Sequence, residues 1–311
     1  MTSSAIAVIG LGSMGYGIAS SALRGGLTVH GFDVNRSQMD RFSTDGGAPG
    51  ALREVAGTLT AVVVVVLNAA QTDAVLFGDD GIVPHLRKGS VVIACATVPP
   101  AFARDMAARC AAHGIHYLDA PISGGAVKAA SGALSVMASG TAEAFAAAEP
   151  VLSVTAETVF RLGDAAGAGS AMKAVNQLLA GVHIAAMAEA MTFGMTQGVT
   201  PEAFMEVIPN CAGTSWMLEN RGPHVVTGDY TPHSSVNIWP KDLGIVLDIA
   251  RTAGFGAPIA AAALQQFLAA AGSGLGGEDD AAVAKVYARN AGLTLPEAGQ
   301  AADTPGKPRA R

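Results

Sequence analysis

The chain has 311 residues, half of them apolar, with a formal net charge of −6, which leaves room for two domains and excludes a nucleic-acid surface. Charged residues make up only 14%, a low share for a monomer, and this predicts surface covered by another subunit. The cysteines Cys95, Cys110 and Cys211 form no C-x-x-C pair, so no disulfide framework or zinc site is expected and a reducing compartment fits.

The N-terminus MTSSAIAVIG lacks a basic leader region, so no signal peptide is expected. Short apolar runs then alternate with helical stretches. Ala5–Ile9, Leu27–Phe32, Ala61–Leu67, Val91–Cys95 and His116–Asp119 read as strands. The run AVVVVVL over 61–67 is apolar on both faces, as a central parallel strand covered on two sides must be. Helical patterns separate the strands over 15–24, 37–44, 71–77 and 100–113. That alternation predicts a doubly wound, mostly parallel α/β sheet, which runs at 134–138 and 158–162 would extend. After Gly163 the periodicity is helical, over about 168–197, 201–211, 241–253, 258–271 and 281–289. The reading is therefore a nucleotide-binding domain over 1–164, an all-α domain over 165–295 and a disordered tail over 296–311.

Gly10, Gly12 and Gly15 form G-x-G-x-x-G. A second match, Gly272-Gly274-Gly277, follows no strand and reads as a flexible loop. The first ends a strand and opens a helix. Gly10 allows the tight turn, Gly12 admits a pyrophosphate to the backbone, and Gly15 lets helix and strand pack closely. Leu11, Ser13 and Met14 lie along the same turn and are assigned to the cofactor with the glycines. Asp33 ends the next strand, 18 residues after Gly15, where a carboxylate accepts hydrogen bonds from an adenosine ribose. It also repels a 2′-phosphate, which favours NAD over NADP. Arg36 would pair with such a phosphate, but also reads as a solvated helix start.

The segment GAGSAMKAVNQLLAGVHIAAMAEAMTFGMTQG, residues 167–198, holds two charged groups, Lys173 and Glu189. Its central stretch, 178–188, is apolar or small on every face except at His183, so it needs cover on all sides. The other helices read in this half are too few for that, and a homodimer or homotetramer is expected. Polar residues break the segment before any run of about 18 apolar residues, so no membrane span is expected. Lys173, with Asn176 and Gln177 three and four positions later, offers an ammonium and two amides from one helix face. The bland alternative is a lysine whose charge snorkels to solvent. Ser123-Gly124-Gly125 leaves backbone N–H groups bare beside a hydroxyl, which makes either a carboxylate seat or a plain turn.

The glycine fingerprint, DAPISGG (119–125) and GAGSAMKAVNQ (167–177) occur in series. Together they resemble the β-hydroxyacid dehydrogenases, over residues 4 to about 290. LNAAQ (67–71), SWMLENR (215–221) and GDYTPHS (228–234) bring the resemblance closest to the branch that acts on L-threonate. The resemblance implies a Rossmann domain followed by an all-helical domain, with a small sugar-acid substrate in the cleft between them. It implies that Lys173 is the general acid/base, a role open to a lysine when desolvation favours its neutral form. It implies that Ser123, Gly124 and Gly125 hold the substrate carboxylate. Asn176, Gln177 and Asp242 would also bind substrate, with the family's usual asparagine replaced by Gln177. Leu67, Asn68, Thr97 and Lys241 would contact the cofactor, NAD. Thr97 also reads as a helix cap. Trp216, Asn220 and His233 read equally as pocket walls or packing, and Glu278, Asp279 and Asp280 as an acidic helix start rather than a metal site. The expected enzyme is cytoplasmic, oxidises a sugar acid at C2 and binds no metal. Its rivals are an NADPH-dependent semialdehyde reductase of the same fold and a binding module without catalysis.

Overall fold

A computed structural model of the chain describes residues 4–298. The expected tail lies outside the described residues from 299 onward. The chain divides into two compact units between Ala174 and Val175.

The first unit opens as the alternation predicts. Strand β1 (Ala5–Ile9) leads into helix α1 (Ser13–Arg24), β2 (Thr28–Phe32) and α2 (Arg36–Thr44). The short α3 (Leu52–Val55) precedes β3 (Ala61–Val64), α4 (Ala69–Phe77), β4 (Val91–Ala94), α5 (Pro100–Ala112) and β5 (His116–Asp119). The five strands form one parallel sheet in the order β2-β1-β3-β4-β5. Its two faces feed separate cores. Ile6, Val8, Val63 and Ile93 pack on one side, while Ala7, Ile9, Val62, Val64 and Val92 pack on the other. This is why AVVVVVL needs no polar face. Strand order reverses between β1 and β3, so a crevice opens over their carboxyl ends.

Two expectations about this unit are corrected. The strand β3 stops at Val64 rather than Leu67. Its partner β1 turns away at Gly10 there, so only one further ladder bond, from the Val65 N–H to the Ile9 carbonyl, continues the pairing. The runs near 134 and 158 do not extend the main sheet. They form β7 (Leu134–Ala138) and β8 (Ala156–Arg161), which join β6 (Ile122–Ser123) in a second, three-stranded sheet. Within it the β6–β7 pairing is antiparallel and the β7–β8 pairing parallel. The two sheets meet at an antiparallel bridge between Asp119 and Ser139. Helices α6 (Gly125–Ser131) and α7 (Ala142–Thr155) separate these strands. They escape periodicity because α6 is short and α7 carries Pro150 in its interior, a residue that ordinarily argues against a helix.

Helix α8 (Ala168–Thr196) runs through the division between the units. The second unit continues with α9 (Pro201–Val207), α10 (Trp216–Thr227), α11 (Ile238–Thr252), α12 (Pro258–Ala270) and α13 (Val283–Asn290). Five helices follow α8 among the described residues, not the four read in the sequence; α10 holds Pro223 in its interior. At Gly181 a Cβ would lie 2.8 Å from the Trp239 ring, so a glycine lets α8 approach α11 closely. Trp239 stacks on Phe267 at 5.5 Å. The Gly272-Gly274-Gly277 segment follows α12 and ends in a turn at Gly276 and Gly277. Residues Ala271–Leu275 continue α12 as a π-turn, with Gly274 at φ +87°.

A buried polar cluster staples this unit. Arg221 Nε donates to Asp280 Oδ1 at 2.5 Å, and Trp239 Nε1 donates to Asp280 Oδ2 at 3.0 Å. Asp279 accepts from the backbone of His233 and Ala281 and pairs with His224 Nδ1. Asp279 and Asp280 are thus structural, while Glu278 pairs with Lys285. No cluster of potential metal ligands occurs among the described residues.

Candidate active site

The crevice over β1 and β3 is lined by the glycine turn. At Gly10, φ is +96°, and a Cβ would lie 2.3 Å from the Val65 carbonyl oxygen. At Gly15 a Cβ would lie 1.7 Å from the Gly10 oxygen. Glycine is therefore required at both positions by backbone approach. Gly12 faces open space and caps α1 without a side chain. The N-cap therefore offers the first-turn N–H groups at Ser13 and Met14 no side-chain acceptor, an arrangement that fits an anion. Leu11 sends its side chain into the core and gives its N–H to Asp33 Oδ2 at 2.6 Å. Asp33 Oδ1 accepts from the Asn35 N–H at 2.7 Å. The two bonds hold the carboxylate over the glycine turn, and each oxygen retains a lone pair for a ribose hydroxyl. Arg36 is exposed at the start of α2. These features fit a dinucleotide with an unmodified adenosine ribose.

Leu67 lies exposed at the end of the β3 turn. Asn68 caps α4, its side-chain carbonyl accepting from the Gln71 N–H at 2.9 Å. Thr97 lies half-buried in the loop after β4. The cap position of α5 is Pro99, without a side-chain bond, so Thr97 is not a cap. Burial, with the charge of Asp119 adding to it, pushes the Cys95 thiol up to about 12, which makes it inert beside this loop.

The second group of residues lies at the end of the second sheet. Ser123 ends β6, and Gly124 and Gly125 follow with φ of +133° and +74°. Two successive positive values form a bare backbone concavity that only glycine adopts without strain. Lys173, in the second turn of α8, is buried, and its Nζ donates to the Ile122 carbonyl at 2.8 Å. The ammonium therefore does not snorkel. It is held one residue from the Ser123-Gly124-Gly125 segment.

Sequence reasoning missed what anchors this end of α8. Asp119, Ser139 and Ser170 are buried and bonded to one another. The signal was present in the first residue of DAPISGG, read only as part of a motif.

Within the second unit, Asn176 Nδ2 donates to Gln177 Oε1 at 2.9 Å, and Gln177 Nε2 donates to Asp242 Oδ2 at 2.5 Å. Lys241 Nζ lies 2.6 Å from Asp242 Oδ1. Gln177 has both ends of its amide engaged, and Asn176 is the less buried of the two. Of the positions read as pocket walls or packing, Trp216 is exposed at the start of α10. Asn220 bonds to Arg221, and His233 sits edge-on to His224.

A glycine turn carrying an aspartate, and a buried lysine beside a bare-backbone seat, define a dinucleotide-dependent dehydrogenase. A family model described as the NAD binding domain of 6-phosphogluconate dehydrogenase matches residues 5–163. A second, the NAD-binding domain of NADP-dependent 3-hydroxyisobutyrate dehydrogenase, matches 167–287. The chain is 52% identical to an L-threonate dehydrogenase of Cupriavidus necator, over 94% of this chain and 97% of that protein. It is 46% identical to an L-threonate dehydrogenase of Escherichia coli K12, over 94% and 97%. A crystal structure described as 3-hydroxyisobutyrate dehydrogenase from Salmonella typhimurium superposes with a TM-score of 0.86 at 47% identity, covering 91% of this chain and 99% of that one. The chain belongs to the β-hydroxyacid dehydrogenase family, and it is an NAD-dependent enzyme acting on a small hydroxyacid.

Proposed function

We propose that the enzyme oxidises L-threonate to 2-dehydro-L-erythronate. The reading is supported by relatives of that activity at 45–52% identity over nearly the whole chain. The structural observation that carries it is Lys173 Nζ, buried and 2.8 Å from the Ile122 carbonyl. The seat at Ser123, Gly124 and Gly125 receives the substrate carboxylate through backbone N–H groups and one hydroxyl. Lys173, as the neutral amine, takes the C2 hydroxyl proton as the C2–H bond breaks, and returns it in the reverse direction. NAD supplies the acceptor for the hydride. Gly10, Gly12, Ser13, Met14 and Gly15 hold its pyrophosphate, and Asp33 its adenosine ribose. Leu67, Asn68, Thr97 and Lys241 complete its binding. Asn176, Gln177 and Asp242 recognise the hydroxyls of the sugar acid, with Asp242 orienting Gln177 and Asn176 the freer of the two amides.

The enzyme is also read as a cytoplasmic homo-oligomer. Helix α8 leaves Val175, Leu179 and Phe193 exposed, with Ala186 and Ala190 between them. This apolar stripe, at helical spacing, is the face a second copy covers. The same helix is long and apolar enough to cross a membrane by composition, but Lys173, Gln177 and Thr192 are buried along it, as befits a core helix. The test is a panel of three- and four-carbon hydroxyacids, branched ones included, with NAD and with NADP, followed by NADH or NADPH absorbance. L-threonate with NAD is expected to give the highest kcat/KM. A better three-carbon or branched substrate, or a preference for NADP, would replace this reading.

A further inference from the structure

The buried lysine needs a device that keeps its position. Lys173 sits on α8, while the seat sits on the segment after β5, and their separation is fixed only if helix and strand are fixed to each other. Asp119 ends β5, three residues before Ile122. Its backbone exchanges two bonds with Ser139, N–H to carbonyl at 3.0 Å and 2.8 Å. Its carboxylate is spent on the start of α8. Oδ2 accepts from the N–H of Gly167 at 2.8 Å and of Ser170 at 2.9 Å, and from Ser139 Oγ at 3.2 Å. Oδ1 accepts from Ser170 Oγ at 2.6 Å. Ser139 Oγ in turn accepts from the Gly169 N–H at 2.9 Å. Three N–H groups at the helix start, which no intrahelical carbonyl can satisfy, are thereby bound, two to Asp119 at the end of β5 and one to Ser139 just after β7.

The sequence makes room for this. At Gly169 a Cβ would lie 2.4 Å from the Met137 carbonyl oxygen and 2.7 Å from that of Asp119. Gly167 has φ of +111°. Both glycines let the helix start lie against the strand. Ser170 and Lys173 are three residues apart, on one helix face. The face clamped to Asp119 is therefore the face that carries the ammonium. Asp119, Ile122, Lys173 and Ser170 close a ring of short links, in which the only long member is the lysine side chain.

We propose that Asp119, acting through Ser139 and Ser170, is the positioning residue that sets the Lys173 ammonium against the Ser123-Gly124-Gly125 seat. It does not touch the reacting atoms. The proposal rests on Lys173 being the acid/base group. A base displaced by about 1 Å loses roughly a hundredfold in rate.

The test uses Ser170→Ala and Ser139→Ala, which each remove one hydroxyl and leave Asp119 in place, with Asp119→Asn as a stronger variant. Turnover of L-threonate, NADH affinity and Tm are measured for each. Ser170→Ala is expected to lower kcat roughly tenfold, with NADH affinity unchanged; Ser139→Ala lowers it less, in the same direction. The discriminating measurement repeats both changes in a Lys173→Ala background rescued by added ethylamine. An untethered amine gains nothing from the clamp, so the penalty is expected to vanish there. A penalty that persists under rescue, or serine variants that keep more than about half of wild-type kcat, overturns the positioning role. Undiminished turnover in Lys173→Ala alone would instead strike the acid/base reading, so the two failures are told apart.

Discussion

Replacing Asp33 with alanine removes two things at once, and the structure separates their sizes. The carboxylate accepts from Leu11 N–H at 2.6 Å and from Asn35 N–H at 2.7 Å. The Asn35 amide is exposed and turns to water. Leu11 is buried, and leaving its N–H unmade costs about 1–3 kcal/mol. For a unit of this size that is a Tm lower by about 2–4 °C per kcal/mol. The second loss, expected from the proposed function, is the pair of bonds to the ribose diol. A charge-assisted bond contributes about 1.5–3 kcal/mol, so NAD affinity falls by about 10- to 150-fold for one such bond. NADP has no diol to lose and gains from removal of the repulsion. The kcat/KM ratio of NAD to NADP is the readout, since it cancels any general loosening of the loop. A variant with a lowered Tm but the wild-type ratio would show that Asp33 latches the glycine turn without reading the ribose.

Four further outcomes follow from particular atoms. Gly124→Ala places a Cβ 2.8 Å from the Lys128 side chain at φ of +133°; strain of about 1–3 kcal/mol is expected to distort the seat and raise the substrate KM more than the NAD KM. Among the described thiols, Cys211 alone is exposed, so a thiol reagent should label one cysteine in the native enzyme and three after unfolding. Burial pushes the Cys95 and Cys110 thiols up to about 12 from an ordinary 9. Stability is then full below pH 9 and falls as pH rises from 9 towards 12, by about 1.4 kcal/mol per pH unit for each thiol; a denaturation midpoint flat over that range would contradict their burial. Arg221→Leu leaves Asp279 and Asp280 buried without their guanidinium, an expected loss of about 3–5 kcal/mol, read as a lower urea midpoint.

Much of the architecture was legible because the residues obey a single period. His116–Asp119 is a strand in both readings, and the start of α8 at Ala168 and of α5 at Pro100 follow directly from pattern. The misses have physical causes. Pro150 and Pro223 sit inside α7 and α10, where local propensity argues against helix and tertiary packing prevails. The β3 strand stops early because of a neighbour's turn at Gly10, which its own sequence does not announce. The glycines at 272–277 follow α12, and Gly274, at φ +87°, kinks the chain there, which the glycine pattern alone does not announce. The motifs single out Lys173, Ser123, Gly124 and Gly125. They carry no sign that the Ile122 carbonyl holds the ammonium, or that Asp119 clamps the helix start, since both bonds join residues 51 apart in the chain.

The central claim is that Lys173 is the acid/base group of an NAD-dependent L-threonate oxidation. The most direct test is the rate of NADH formation from L-threonate by the wild type and Lys173→Ala, beside the NADH affinity of each. The wild type should turn over, and the variant should lose about 10²–10⁴-fold in kcat while binding NADH normally. A variant keeping more than about a tenth of the wild-type rate would contradict the account.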